Sequence, residues 1–404
     1  MKKSVALGIA ASALALAVPA MAAPGDPLEL GEGITFDPIL SLRARFEGAE
    51  QANLPDNAKA LTVRARLGAE VTIAGLSLLA EGEGTAALVN DYNDTLPRNG
   101  VEPFPVVPDP ETLELNRLQA SFIRDGTGVT VGRQRIIHDN SRFVGNVGWR
   151  QNEQTFDAVR GQGKFGPVVL DATYSISQRT VFGAHSPNEH FDGELVLLNG
   201  GIDLAVVDAK AFAYLLDYDT RAAFSSQTYG ILASAEIPVP ALGKLTAMAS
   251  YATQRDYGAN PVAYQAPYYN AQLGAGVLGF ALTAGYEELG SDDGVAAFQT
   301  PLATLHAFNG WADLFLTTPP EGLRDYYAGI SRPIGVPLLS GMRAEVVHHH
   351  FQSDIGGLDY GTEWNAALTF RIGTVALLAK YANYQAQDFG VDTEKFWLQA
   401  ELNF

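Results

Sequence analysis

Residues 61–73 read LTVRARLGAEVTI, so that Leu61, Val63, Ala65, Leu67, Ala69, Val71 and Ile73 fall on one face of an extended chain while Thr62, Arg64, Arg66, Gly68, Glu70 and Thr72 fall on the other. One face suits oil and the other suits water. The preceding stretch repeats the pattern, with Ile34, Phe36, Leu40, Leu42, Ala44 and Phe46 opposed to Thr35, Asp37, Ser41, Arg43, Arg45 and Glu47. Further along, Leu170, Ala172, Tyr174 and Ile176 oppose Asp171, Thr173, Ser175 and Ser177, and Trp364, Ala366, Leu368 and Phe370 oppose Glu363, Asn365, Thr369 and Arg371. A wall standing between lipid and a polar interior demands this alternation in every strand.

Runs of this kind recur from Ile34 to the carboxy-terminus, separated by Gly, Asp, Asn and Pro clusters that read as turns. They make roughly 16 to 19 segments of about 9 to 12 residues, the length of a tilted spanning strand. Because single-chain bacterial barrels take even numbers, the expected fold is an all-β, transmembrane antiparallel β-barrel of about 18 strands, with 16 as the alternative. Short connections at Gly166-Pro167 and Arg371-Ile372-Gly373 contrast with long ones at Asn90 to Glu111, Phe182 to His190 and Tyr257 to Pro267. That asymmetry is expected of a barrel with tight turns at one end and loops at the other.

Residues 1–22 have the three parts of a secretory signal: Lys2 and Lys3, an apolar stretch from Val5 to Val18, and Ala20-Met21-Ala22 as the cleavage site. Residues 23–404 then form the barrel domain. The chain carries 27 Lys and Arg against 45 Asp and Glu, and losing the two signal lysines leaves the mature protein at −20. Nucleic acid is excluded as a partner, since phosphate binding requires clustered cations. Cysteine is absent, which removes disulfides and thiol chemistry. Hydrophobic residues make up 47% of the chain, yet no apolar run after the signal is long enough for a spanning helix, so they are spread through many short segments.

The final segment alternates Phe396, Leu398, Ala400, Leu402 and Phe404 with Lys395, Trp397, Gln399, Glu401 and Asn403. Its terminal aromatic resembles the signal by which the outer-membrane assembly machinery recognises its clients, which makes Phe404 the expected contact. Tyr218, Tyr251, Tyr257, Tyr268, Tyr286, Tyr381 and Tyr384 lie near expected strand ends, where rings would form an interfacial girdle.

Four arginines, Arg43, Arg45, Arg64 and Arg66, share the inward face of the first two strands. A hairpin symmetric about position 54.5 would set Arg43 against Arg66 and Arg45 against Arg64. Like charges directly opposite destabilise a sheet. Either acids such as Asp37, Glu47 and Glu70 neutralise them, or they line an aqueous path as a positive ladder that favours anions. A second cluster, Arg133, Arg135, Arg142, Arg150 and Arg160 with Asp157, brackets a segment from Ile136 to Glu153 that is expected to fold inward as a constriction. Guanidinium groups on it would suit the forked binding of carboxylates.

The run VGRQRIIHDNSRFVGNVGWRQNEQTFDAVR at 131–160 resembles a signature of the alginate export family of outer-membrane porins, and TPLATLHAFNGWADLFLTTPPEGLRDYYAG at 300–329 resembles its second. Tyr92-Asn93-Asp94-Thr95 and the later 105–111 are similar to its intervening loop. The likeness extends over essentially the whole mature chain. It implies an 18-stranded barrel in the bacterial outer membrane, surrounded by outer-membrane lipid, whose arginine-lined lumen passes anionic polysaccharide or other acidic solutes.

Other features of the sequence carry weaker signals. His348, His349 and His350 are adjacent, so only His348 and His350 share a face, and no metal site is expected of them. Asn90 to Asp94 offers oxygen ligands but lacks calcium-loop spacing. No Gly-x-Ser-x-Gly elbow is present, so a barrel enzyme acting on lipid ranks below a channel. The expectation is a passive channel without cofactor or chemical step, with an uptake porin for small organic acids or oligosaccharides as the alternative reading.

Overall fold

In this computed structural model the described residues are 27–96, 103–240 and 243–404, so the expected signal at 1–22 lies outside them. The strands are β1 (Leu28–Gly31), β2 (Ile34–Gln51), β3 (Ala58–Ile73), β4 (Leu76–Asp91), β5 (Thr112–Arg124), β6 (Thr127–Gln134), β7 (Thr155–Phe165), β8 (Val168–Arg179), β9 (His190–Asp203) and β10 (Val207–Tyr218). They continue as β11 (Ser226–Val239), β12 (Gly243–Asp256), β13 (Gln265–Val277), β14 (Phe280–Leu289), β15 (Leu323–Pro333), β16 (Ser340–Gln352), β17 (Asp359–Ile372), β18 (Val375–Ala386) and β19 (Thr393–Asn403).

From β2 onward each strand pairs antiparallel with the next, and β19 returns to pair with β2 from Thr393↔Gln51 to Asn403↔Ser41. The wall is therefore a closed barrel of 18 strands, as the periodicity predicts. Phe404 completes the closure, its N–H donating to Leu40 O at 2.8 Å. Closure leaves no wall edge to pair with another chain. Short β1 folds back onto the start of β2, with Leu28 opposite Phe36.

Burial is inverted relative to a soluble protein. On β3, Leu67 is 61% exposed on the outer face while inward Arg64 is 0% exposed. Such a surface is stable only where the outside is itself apolar, which is the situation of a membrane wall. Among the described residues no helix is long and apolar enough to cross a membrane; strands make the crossing.

Tight turns gather at one end. Ala74-Gly75, Asp125-Gly126 and Leu278-Gly279 each have positive φ at both central residues, the geometry whose twist matches two antiparallel strands. Glycine at the second position relieves the steric cost. The opposite end carries the longer connections, among them 92–111, 180–189 and 257–264, in agreement with the expected asymmetry.

Register corrects one expectation. Arg43 stands opposite Arg64, Ser41 opposite Arg66 and Arg45 opposite Thr62, so the β2–β3 hairpin is slipped by two residues from the symmetric pairing. A slip of two preserves the side-chain period, and every residue keeps its predicted face.

The girdle is also smaller than predicted. Tyr251 and Tyr286 stay on the outer surface, where they pair with Tyr269 and Tyr326 at ring separations of 5.3 and 5.0 Å. Tyr218, Tyr268 and Tyr384 are instead buried inside. Each hydroxyl has a partner there: Gln178 for Tyr218, Glu287 for Tyr268 and the Phe389 carbonyl for Tyr384. A tyrosine near a strand end serves either face, and the parity of its position decides which.

Candidate functional site

Two connections leave the wall and fill the lumen. Residues 135–154 join β6 to β7; β6 is only eight residues long, so this loop departs before the wall reaches full height. Residues 290–322 join β14 to β15. The first inward loop agrees with the expected constriction. The second overlaps the stretch quoted above at 300–329, but nothing in its residues announced an inward course.

Apolar side chains seat both loops. Phe143 packs against Phe212 and Tyr268, and Phe298 against Tyr268, with centroids 4.7 to 5.3 Å apart. Phe315 meets Phe351 and Phe389 at 4.7 and 5.2 Å. Hydrogen bonds then tie loop to loop, since Gly145 N–H donates to Leu302 O at 2.8 Å and the Gln154 side chain, through Nε2, to the same carbonyl at 2.9 Å. The lumen is crossed by one interlocked body.

Polar anchors fix that body to the wall. Asp313 accepts from His306 Nδ1 at 2.7 Å, Arg150 Nη2 at 2.9 Å and Lys395 Nζ at 3.0 Å. Lys380 Nζ lies 2.7 Å from His306 Nε2 and 3.7 Å from the Trp311 ring centroid, with Trp149 at 4.3 Å. A carboxylate facing Nδ1 at 2.7 Å requires that nitrogen to carry the proton, which leaves Nε2 as the acceptor toward Lys380. Burial opposes ionisation of Asp313, but His306, Lys395 and Arg150 outweigh it and hold its carboxyl well below the usual range. Burial also holds His306 well below its ordinary value, reinforced by Lys380 and Arg150.

Glu153 forms a second anchor. It accepts from Arg135 Nε, Asn146 Nδ2 and Asn116 Nδ2 at 2.6 to 2.7 Å, and Arg66 Nη1 lies 3.6 Å away. Burial raises its carboxyl, yet Arg66 and Arg135 reverse the sign and lower it. A third anchor is Arg142, which donates to Glu287 at 2.6 Å, Thr300 at 2.8 Å and Asn309 at 3.2 Å, linking the wall to both loops.

The remaining arginines of the second cluster are occupied as well. Arg133 forks onto Asp157 through two bonds of 2.8 Å, and Arg160 onto Asp171 at 2.5 and 2.9 Å. Arg150 reaches Glu47 at 3.0 Å as well as Asp313. These guanidinium groups hold protein carboxylates, and the fork geometry expected for a solute is used internally.

The first cluster is different. Arg43 Nε meets Glu401 at 3.0 Å, and Arg64 Nη2 lies 3.5 Å from the same carboxylate, so one acid supplied by β19 sits between the two opposed cations. Arg66 pairs with Glu83, and Arg45 Nη1 is 3.6 Å from Asp109. Glu47 has gone to Arg150 and Glu70 accepts from Ser77, so most counter-charge on the ladder comes from residues other than those expected. Arg43 Nη1 also donates toward the carbonyls of Gly148, Trp149 and Arg150 at 3.1 to 3.2 Å, and Arg45 Nη2 donates to Trp149 O. Arg64 Nε and Nη1 are buried without a hydrogen-bond partner among the described residues.

Other candidates separate by face. His349 is buried inside and bonded to Asp325 at 2.9 Å, while His348 packs at a tilt against Trp364 of the outer face, centroids 4.5 Å apart. Asn93 and Asp94 spend their side-chain oxygens on the N–H groups of Thr95 and Leu96. Among the described residues no group of three or more His, Cys, Asp or Glu is placed to hold a metal.

No protein-family model and no curated protein matches the chain in sequence. Solved structures do share its fold. The outer membrane protein OpdK of Pseudomonas aeruginosa, in its complex with vanillate, aligns with a TM-score of 0.69 at 12% identity, covering 92% of this chain and 99% of that one. OccAB4 of Acinetobacter baumannii aligns at 0.68 and 13%, over 95% and 100%, and OpdO of Pseudomonas aeruginosa at 0.66 and 13%, over 91% and 97%. The architecture is thus that of bacterial outer-membrane porins. These neighbours are Opd and Occ porins, which overturns the resemblance to the alginate export family. The quoted signatures overlap the two inward loops; of the arginines in the first, Arg142 and Arg150 fasten its loop to the wall, whereas Arg133 and Arg160 pair with carboxylates of adjacent wall strands.

Proposed function

We propose that the chain is a passive channel of the bacterial outer membrane for the uptake of small acidic solutes, with residues 1–22 as its cleaved signal and 23–404 as its barrel. The observation that carries this reading is the row Arg45, Arg43, Arg64 and Arg66 on the inner face of β2 and β3, within a wall whose outer face is apolar. A cationic row inside a low-dielectric wall favours anions over neutral solutes and cations. In this reading outer-membrane lipid covers the exterior, and Phe404 is offered to the assembly machinery.

Small solutes fit better than a polysaccharide. Two loops joined at Gly145 and Leu302 cross the lumen, and a polymer threading through would have to displace both at once. A small acid needs only a gap beside the arginines. The fold shared with a channel determined in complex with vanillate, itself a carboxylate, supports the same solute class. Selection by charge and width requires no chemical step and no cofactor.

Reversal potentials in planar bilayers under a potassium chloride gradient, combined with swelling of liposomes in vanillate or in neutral sugars, test the proposal. Anion preference and faster entry of vanillate are expected. Cation preference, or faster entry of a neutral sugar of similar size, would reject it.

A further inference from the structure

Arg43 and Arg45 direct their guanidinium nitrogens at the backbone of the first inward loop, where Gly148 O, Trp149 O and Arg150 O converge on Arg43 Nη1 at 3.1 to 3.2 Å. Three carbonyls around one nitrogen imitate the oxygen-rich group an arginine fork is shaped to hold. The Trp149 ring is held at the same point, with Arg45 over it at 4.1 Å and His306 stacked on it at 4.3 Å and 5°. Beside this contact stands Arg64, opposite Arg43 in the hairpin, with two buried donors that have no partner among the described residues.

We propose that the Gly148–Arg150 backbone is a resident occupant of a carboxylate site made by Arg43, Arg45 and Arg64, and that a small monocarboxylate opens the channel by displacing it. The idea rests on the uptake reading given above and adds its regulation. A peptide carbonyl carries only a partial charge, whereas hydrogen bonds from arginine to a carboxylate are charge-assisted and roughly twice as strong as neutral ones. The incoming acid also satisfies the two orphaned nitrogens of Arg64, which the loop backbone leaves unmet. Its affinity therefore differs between the latched and released loop, as any ligand that shifts such an equilibrium requires. Release draws Trp149 from beneath Arg45 and widens the passage at the arginine row.

Single-channel recording of the full-length protein in planar bilayers tests this, with benzoate as the acid and benzyl alcohol as its neutral counterpart. Benzoate on the long-loop side is expected to raise open probability severalfold, while benzyl alcohol leaves it unchanged. Arg43→Lys keeps the charge but cannot hold Glu401 and the three carbonyls together, so it is expected to open several times more often without benzoate and to respond little to it. Trp149 emission, measured as the difference from W149F, is expected to shift to the red when benzoate binds. An equal response to benzyl alcohol, or wild-type gating in R43K, overturns the latch. Reversal potentials recorded in the same membranes separate the two claims: an anion-selective channel indifferent to benzoate defeats the latch alone, whereas a cation-selective one defeats the uptake reading beneath it.

Discussion

Arg150 of the first inward loop donates to Asp313 of the second across 2.9 Å, an ionic contact that adds to the Gly145–Leu302 and Arg142–Asn309 bonds in making the two insertions a single plug. The same carboxylate takes Lys395 from the wall and His306 from its own loop. Removing one partner of a buried ionic cluster leaves the others uncompensated, at about 3–5 kcal/mol.

Asp313→Asn is accordingly expected to free the loops while the wall remains closed. Limited trypsin digestion in detergent should then cut at Arg150 or Arg142, both buried in the native protein. Continued resistance of the variant to trypsin would show that the apolar seats alone hold the plug.

Acid should loosen the plug in two stages. His306 has its folded pKa lowered, so below its unfolded value of about 6.5 the unfolded loop binds the proton more readily and stability falls with pH. Asp313 and Glu153 also have lowered folded values; their contribution is complete above the unfolded carboxylate range of about 4 and is lost as pH drops through the folded values. Tryptophan fluorescence melts between pH 8 and 3 should show both steps, and His306→Gln should abolish the first and, by removing a partner of Asp313, weaken the second.

Glu401 stands between Arg43 and Arg64, so Glu401→Gln leaves two facing cations with less compensation. The reversal potential is expected to move toward stronger anion preference, with a lower thermal midpoint. A shift toward cations would mean that the row does not face the permeation path.

Leu67 lies near the middle of β3 on the outer face. Leu67→Arg should cost about 2–4 kcal/mol of stability in bilayers, the depth-dependent penalty for a charge on the lipid side of a barrel. Urea titrations from lipid vesicles measure it directly. A variant as stable as the parent would contradict the assigned face.

Much of this molecule was legible from its residues because a barrel writes its wall in a period of two. Leu61 through Ile73 reveal both faces of β3 without any knowledge of their neighbours, and the terminal strand does the same up to Phe404. Where a side chain's surroundings come from elsewhere in the chain, that reading stops. Tyr218 and Tyr268 looked like girdle residues but face inward, Tyr218 bonded to Gln178 of the wall and Tyr268 packed on Phe143 and Phe298 of the plug, and the course of 290–322 carried no periodic signal at all.

The sequence by itself determined the alternation, the acidic balance, the closed antiparallel wall and which arginines point inward, since each follows from local spacing or simple composition. Only the tertiary structure decided what those arginines hold. Glu401 reaches Arg43 because closure of the barrel brings β19 beside β2, across 358 positions of chain, and the Gly148 carbonyl reaches the same guanidinium because a loop from β6 folds back through the lumen. Electrostatic partners are chosen by distance in space, and sequence spacing cannot encode that distance until the wall has closed.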